Sequence, residues 1–121
     1  MRVLIVEDEA LLAMMLEDMV RDAGHDVVGV ASDGAGAEGL ARREQPDVIL
    51  MDINIRGEVD GVETARRLKG DVPSQVIFMT AYTDKANRAR MQTIDPIAVL
   101  SKPYDERLLT ETLAKVAGGA A

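Results

Sequence analysis

The chain has 121 residues, of which 47% are hydrophobic and 29% are charged, and this fits one folded domain with a substantial core. It has no cysteine, which excludes disulfides, thiol catalysis and thiolate metal sites. The formal net charge of -7 argues against binding to nucleic acid or docking on an anionic membrane, because both require a basic surface.

Five short apolar runs along the chain predict β-strands. They cover residues 3–6, 27–30, 48–51, 76–79 and 97–100. Continuous apolar runs of this length are typical of strands that are buried on both faces, as in a parallel sheet. None approaches the roughly 20 residues of a membrane span, and the start of the chain does not resemble a signal peptide. We therefore expect a cytoplasmic location.

Amphipathic patterns between these runs predict five helices. One helical pattern follows each of the five apolar runs. The apolar positions that define four of them are Leu11, Met14, Met15 and Met19 in the first helix, Ala37, Leu40 and Ala41 in the second, Val62, Ala65 and Leu68 in the third, and Leu109, Leu113 and Val116 in the last. The fourth helix is predicted near residues 84–91, where the pattern is short and polar. Asp33 and Asp105 are predicted N-caps.

The alternation of strands and helices predicts an α/β fold with a doubly wound, five-stranded parallel sheet and five helices. We assign residues 1–117 to this domain and residues 118–121 to a frayed C-terminal tail. In such a sheet the functional site lies beyond the carboxyl ends of the strands.

Polar residues follow four of the five predicted strands. They are Glu7 and Asp8 after the first strand, Asp52 and Asn54 after the third, Thr80 after the fourth, and Lys102 after the fifth. Each alone has an ordinary explanation, such as capping a helix or ending a strand. Together at one sheet edge, they predict a phosphoryl-transfer site, because carboxylates suit Mg²⁺, an aspartate can act as a nucleophile, and a lysine and a hydroxyl can stabilise phosphoryl oxygens.

As a set, these residues resemble the response-regulator receiver domain of the CheY-like family, over essentially the whole chain, and in particular its stand-alone type. The resemblance implies the flavodoxin-like strand order 2-1-3-4-5. It also implies that a histidine kinase or a histidine phosphotransfer protein phosphorylates Asp52, with Thr80 and Lys102 contacting the phosphoryl oxygens. The Lys102–Pro103 peptide bond is expected to be cis.

The same resemblance implies a Mg²⁺ site. Asp8 and Asp52 would bind the ion directly, together with the backbone carbonyl of Asn54, while Glu7 would act largely through water. We expect a downstream protein target, no nucleic-acid or membrane partner, and a monomer or a weak dimer. Lys85, Arg88 and Arg90 on the fourth helix form either a solvated face or a docking surface for an acidic partner.

The candidate switch residues depart from the common pattern of this family. Many receivers carry an aromatic residue three positions before the lysine, where this chain has Val99. Tyr82, two residues after Thr80, is the alternative, and the Thr-small-Tyr segment resembles that of a group of single-domain receivers. We expect Tyr82 and residues 83–91 to move on phosphorylation while Val99 stays buried; the alternative is that Tyr82 merely anchors its loop.

Three other functions remain to be compared with this one. An aspartyl-nucleophile phosphatase of the haloacid-dehalogenase type requires a second acid two residues after the nucleophile, where this chain has Asn54. A flavodoxin requires a phosphate-binding loop after the first strand, and the acidic Glu7 and Asp8 have the wrong charge. A receiver-like scaffold that is never phosphorylated stays open, and a phosphorylation assay distinguishes it. We expect no enzyme activity beyond assistance to the domain's own phosphorylation and dephosphorylation.

Overall fold

A computed structural model describes residues 1–81, 83–103 and 105–119. Strands and helices alternate along the chain as predicted. They are β1 (Arg2–Val6), α1 (Ala10–Asp22), β2 (Asp26–Ala31), α2 (Gly34–Glu44), β3 (Val48–Met51), α3 (Gly61–Leu68), β4 (Gln75–Thr80), α4 (Lys85–Gln92), β5 (Ala98–Ser101) and α5 (Glu106–Gly119).

The five strands form one sheet in the order β2-β1-β3-β4-β5, and all neighbouring strands are parallel. The predicted flavodoxin-like topology is therefore confirmed. Two apolar clusters cover the two faces of the sheet. One contains Leu4 and Val6 of β1 with residues of α2, α3 and α4, and the other contains Val3 and Ile5 with residues of α1 and α5. This alternation along β1 follows from the two-residue repeat of a strand.

Burial on both faces holds for the central strands but not for the edges. All residues of β3 are buried, whereas only one residue of β2 and none of β5 is buried. An edge strand has a neighbour on one side only, so fewer side chains cover it. The expectation of five fully buried strands is therefore wrong for β2 and β5.

The predicted core face of α1 is wrong at three of its four positions, whereas Met19 is half-buried and packs against the core as predicted. Leu11, Met14 and Met15 are 70%, 62% and 42% exposed, and together we call them the α1 apolar patch. The buried residues of α1 are instead Ala13, Leu16 and Val20. The first two turns of α1 are apolar almost all round, so helical spacing alone does not identify the side that faces the sheet.

The apolar positions predicted for α2, α3 and α5 all pack into the core, although Leu40 of α2 is only partly buried. Ala37 and Ala41 of α2 are buried, and so are the three predicted residues of α3 and the three of α5. Asp33 accepts a hydrogen bond from the backbone of Gly36, and Asp105 accepts one from Leu108, as expected of N-caps. Helix α5 continues through Gly119, two residues beyond the predicted boundary. Among the described residues, no helix is long and apolar enough to cross a membrane.

Candidate functional site

The carboxyl ends of four strands meet at one edge of the sheet. The backbone N–H of Asp52, after β3, donates to the carbonyl of Val6 in β1 at 3.1 Å. The N–H of Lys102, after β5, donates to the carbonyl of Thr80, the last residue of β4, at 3.0 Å. These two bonds continue the strand pairing by one residue, so they fix the polar residues of neighbouring strands side by side.

Three carboxylates form a cluster at this edge. One oxygen each from Glu7, Asp8 and Asp52 lies within 4.8 Å of the others. Glu7 and Asp52 are only 2% and 4% exposed. Such closely spaced negative charges repel one another unless a cation lies nearby, and hard oxygen ligands suit Mg²⁺. The donor set therefore fits a divalent cation.

Asn54 is an exposed residue of the loop after β3, between the buried Ile53 and Ile55. Its backbone N–H donates to Oδ1 of Asp52 at 3.3 Å. The other oxygen of Asp52, Oδ2, faces Lys102. The two carboxylate oxygens thus have different partners, and the loop fixes the orientation of the carboxylate.

Lys102 joins two of the three carboxylates. Its Nζ lies 2.8 Å from Oδ2 of Asp52 and 3.0 Å from Oε1 of Glu7. This direct contact of Glu7 with the lysine is absent from the sequence-based picture, in which Glu7 acts through water. One ammonium group therefore faces two buried carboxylates.

The pKa values of Asp52 and Lys102 respond to this arrangement. Burial raises the pKa of Asp52 above its ordinary value, and the hydrogen bond and charge of Lys102 offset this only in part. Burial alone would lower the pKa of Lys102, but the hydrogen bonds and charges of Asp52 and Glu7 outweigh it and raise that pKa. The lysine is therefore protonated at neutral pH and available to an anionic group.

Gly61 is a site residue that the sequence analysis did not single out. Its backbone N–H donates to the carbonyl of Ile53 at 2.8 Å, and a Cβ built on it would lie 1.9 Å from the carbonyl oxygen of Asp52. The first turn of α3 thus lies directly against the backbone of Asp52. The sequence signal is the Asp-Gly pair at the start of α3, in which Asp60 is the N-cap and glycine permits the close approach.

The switch candidates are only partly described. Thr80 is fully buried, whereas Val99 is half-buried, because β5 is an edge strand. Val99 lines a cavity of about 250 Å³ together with residues of α4, among them Arg88 and Met91. Tyr82 lies outside the described residues. The Lys102–Pro103 peptide bond is cis, as expected.

The sheet order defines a flavodoxin-like α/β domain, and this one carries clustered acids and a lysine at the carboxyl edge of its sheet. Within that class, the sequence matches the response regulator receiver domain over residues 3–114. The chain therefore belongs to the receiver domain family of two-component response regulators.

Curated relatives and solved structures agree with this membership. The transcriptional regulatory protein PdtaR of Mycobacterium tuberculosis is 35% identical over 85% of this chain, which spans about half (50%) of that protein. The polar-differentiation response regulator DivK of Brucella ovis is 35% identical over 98% of this chain and 97% of its own length. The signal receiver domain of a modulated diguanylate cyclase from Desulfovibrio desulfuricans superposes with a TM-score of 0.88 and 36% identity, over 95% of this chain and 91% of that one.

Proposed function

We propose that this domain accepts a phosphoryl group on Asp52 in a two-component phosphorelay, with Mg²⁺ bound at the acidic cluster. The observation that carries the proposal is the contact of Lys102 with Asp52 at 2.8 Å, within a cluster of three carboxylates. A carboxylate nucleophile, a cation site and a protonated lysine are together sufficient for phosphoryl transfer, which depends mainly on positioning and charge stabilisation.

The proposed reaction transfers the phosphoryl group from a histidine of the donor protein. An oxygen of Asp52 attacks phosphorus, the O–P bond forms, and the P–N bond breaks with its electron pair returning to the imidazole nitrogen. Lys102 then exchanges a carboxylate contact for a phosphoryl oxygen, and the Thr80 hydroxyl donates to another. Asp8, Asp52 and the backbone carbonyl of Asn54 would hold Mg²⁺, which would supply positive charge to stabilise the transferred phosphoryl group.

Incubation with a small acyl phosphate, followed by intact mass measurement, tests this function. We expect a gain of one phosphoryl group in the presence of Mg²⁺ and no gain in its absence, because the carboxylate cluster repels an anionic donor unless the ion is bound. Phosphorylation that does not depend on Mg²⁺ would contradict the proposed site, and so would tight tetrahedral binding of a transition metal. A complete lack of phosphorylation would favour the scaffold alternative.

We propose that the donor docks on the α1 apolar patch. Helix α1 begins at Ala10, directly after the acidic residues of the site, so Leu11 and Met14 lie on the helix that leaves this edge of the sheet. Leu11, Met14 and Met15 are spaced i, i+3 and i+4, so they share one helix face, and a contiguous exposed apolar patch of this kind marks a protein-binding surface. A helical phosphotransfer domain can cover such a patch while it presents its histidine to Asp52.

Met14→Glu is expected to slow phosphoryl transfer from the donor protein about tenfold or more, because a charge would be buried in the interface. Phosphorylation by the small acyl phosphate should not change. Ile97→Glu is the matched control, since Ile97 is also exposed (43%) but lies before β5, at the opposite edge of the sheet. If both variants accept the phosphoryl group from the donor at the wild-type rate, the patch is not the docking surface.

The remaining parts of the proposal concern signal output. We assign the switch to Thr80 and Tyr82, with Val99 static, and the output to contact between the phosphorylated domain and a downstream protein. Amide exchange of residues 83–91 should then differ between the phosphorylated and unphosphorylated protein, while Val99 changes little. The proposal includes a cytoplasmic location, a monomer or weak dimer, and no catalysis on other substrates.

A further inference from the structure

Helix α4 is tied to the start of α3 by an ion pair. Nη2 of Arg90, in α4, donates to Oδ2 of Asp60 at 2.6 Å. The other oxygen of Asp60, Oδ1, accepts from the backbone N–H of Glu63 at 3.0 Å and so caps α3. A single carboxylate therefore connects two helices.

Asp60 is in turn fixed to the backbone of the phosphorylation site. The next residue, Gly61, donates to the carbonyl of Ile53, and its Cα lies too close to the carbonyl of Asp52 to carry a Cβ. The hydroxyl of Thr64 donates to the carbonyl of Asp60 at 2.8 Å, which holds this turn from the other side. A shift of Asp60 consequently displaces residues 52–54, which include the nucleophile and the proposed metal ligand Asn54.

We infer that the Asp60–Arg90 ion pair couples the position of α4 to the geometry of residues 53–61, and that Arg90 is a positioning residue for the site. The side chains of Arg90 and Asp60 are 42% and 32% exposed, so the pair is weak and can break and re-form. An ion pair this weak allows α4 to exchange between two positions. The coupling runs through the β3–α3 loop and is separate from the proposed route through Thr80 and Tyr82.

The coupling acts in both directions. If α4 holds the β3–α3 loop in place, then a cation that orders the same loop must also stabilise the position of α4. This reciprocal effect of the metal rests on the proposed function, because it requires Mg²⁺ to bind at the acidic cluster. The effect of Arg90 on the loop does not require the metal.

Amide hydrogen exchange of the metal-free protein tests the effect of Arg90 on the β3–α3 loop. Arg90→Gln is expected to accelerate exchange across residues 53–61 by about two- to fivefold, the effect of losing one partly exposed ion pair. The matched control is Arg66→Gln, because Arg66 also reaches from α3 towards the end of α4, donating to Oγ1 of Thr93 at 3.0 Å, without touching Asp60. Unchanged exchange in Arg90→Gln, or equal acceleration in the control, would overturn the inference.

A Mg²⁺ titration monitored by amide exchange of residues 85–92 tests the reciprocal effect of the metal on α4. In the wild type, Mg²⁺ should slow exchange in α4, and Arg90→Gln should remove most of this effect while weakening apparent Mg²⁺ binding by about two- to fivefold. Arg90→Lys keeps the charge and should restore the response in part. If Mg²⁺ does not bind the wild type, the proposed function fails, yet the metal-free exchange of residues 53–61 still decides the role of Arg90. If Mg²⁺ binds but α4 does not respond, the reciprocal coupling is wrong.

Discussion

Asp52→Asn should abolish the gain of one phosphoryl group that the wild type shows with a small acyl phosphate and Mg²⁺. Asparagine has nearly the same shape as aspartate but lacks the nucleophilic carboxylate oxygen. Intact mass spectrometry measures the outcome directly. An undiminished mass gain in this variant would show that another residue accepts the phosphoryl group.

Stability measurements show whether the Asp52→Asn protein is properly folded. Burial raises the pKa of Asp52 above 3.8, so in the window above 3.8 the unfolded chain releases this proton more readily than the folded one. Stability of the wild type therefore falls as pH rises through that window, and the asparagine variant avoids this loss. We expect the variant to be more stable than the wild type at neutral pH without metal, because the buried carboxylate charge is removed. The ion pair of Lys102 with Glu7 remains, so the lysine keeps a partner.

Asp71→Asn provides the matched control for this substitution. Asp71 is exposed, lies between α3 and β4, and pairs with Arg42 at 3.2 Å. The same chemical change at Asp71 should leave phosphorylation close to wild type, because a surface ion pair contributes little to stability. A loss of phosphorylation in Asp71→Asn would indicate a general effect of charge rather than the loss of a nucleophile.

The location of the site could be predicted from the sequence because a parallel sheet places the carboxyl ends of its strands at one edge. Asp52 and Lys102 are 50 residues apart in the chain, yet their side chains are in contact. Their residue types and their positions at the ends of strands were sufficient to predict that these two side chains lie close together. The contact of Lys102 with Glu7 was not predicted, because it depends on side-chain distances that strand order does not specify.

The orientation of α1 could not be predicted for a different reason. A helix is assigned to the core by the contrast between an apolar and a polar side, and Leu11 to Leu16 offer almost no contrast. The packing against the sheet instead selects Ala13, Leu16 and Val20, and leaves the longer Leu11, Met14 and Met15 exposed. Where the apolar pattern is narrow, as at Val62, Ala65 and Leu68 of α3, the same reasoning gives the correct side.

The role of Gly61 was missed because steric contact between segments has no signature in composition or periodicity. The Asp-Gly pair indicates the start of a helix, but it does not show which backbone the glycine faces. In the structure that backbone belongs to Asp52, so the requirement for glycine and the position of the proposed nucleophile are one feature of the β3–α3 connection.

Gly61→Ala is therefore expected to destabilise the domain by about 3 kcal/mol, at the upper end of the range for overpacking. The added Cβ would lie 1.9 Å from the carbonyl oxygen of Asp52 and 2.9 Å from Cα of Ile53. Both are backbone atoms, so no side-chain rotation relieves the clash, and α3 or the end of β3 has to move. Urea denaturation measures the loss of stability. In the fraction that folds, the displaced Asp52 should also be phosphorylated more slowly.

Gly39→Ala is the control that separates this clash from the general effect of replacing a helical glycine. Gly39 lies in the middle of α2, and a Cβ there would meet nothing within 4 Å. Alanine is the better helix former, so this variant should be more stable than the wild type by up to about 1 kcal/mol. The two identical substitutions are thus expected to act in opposite directions. If Gly61→Ala unfolds at the wild-type urea concentration and is phosphorylated at the wild-type rate, α3 does not constrain the position of Asp52.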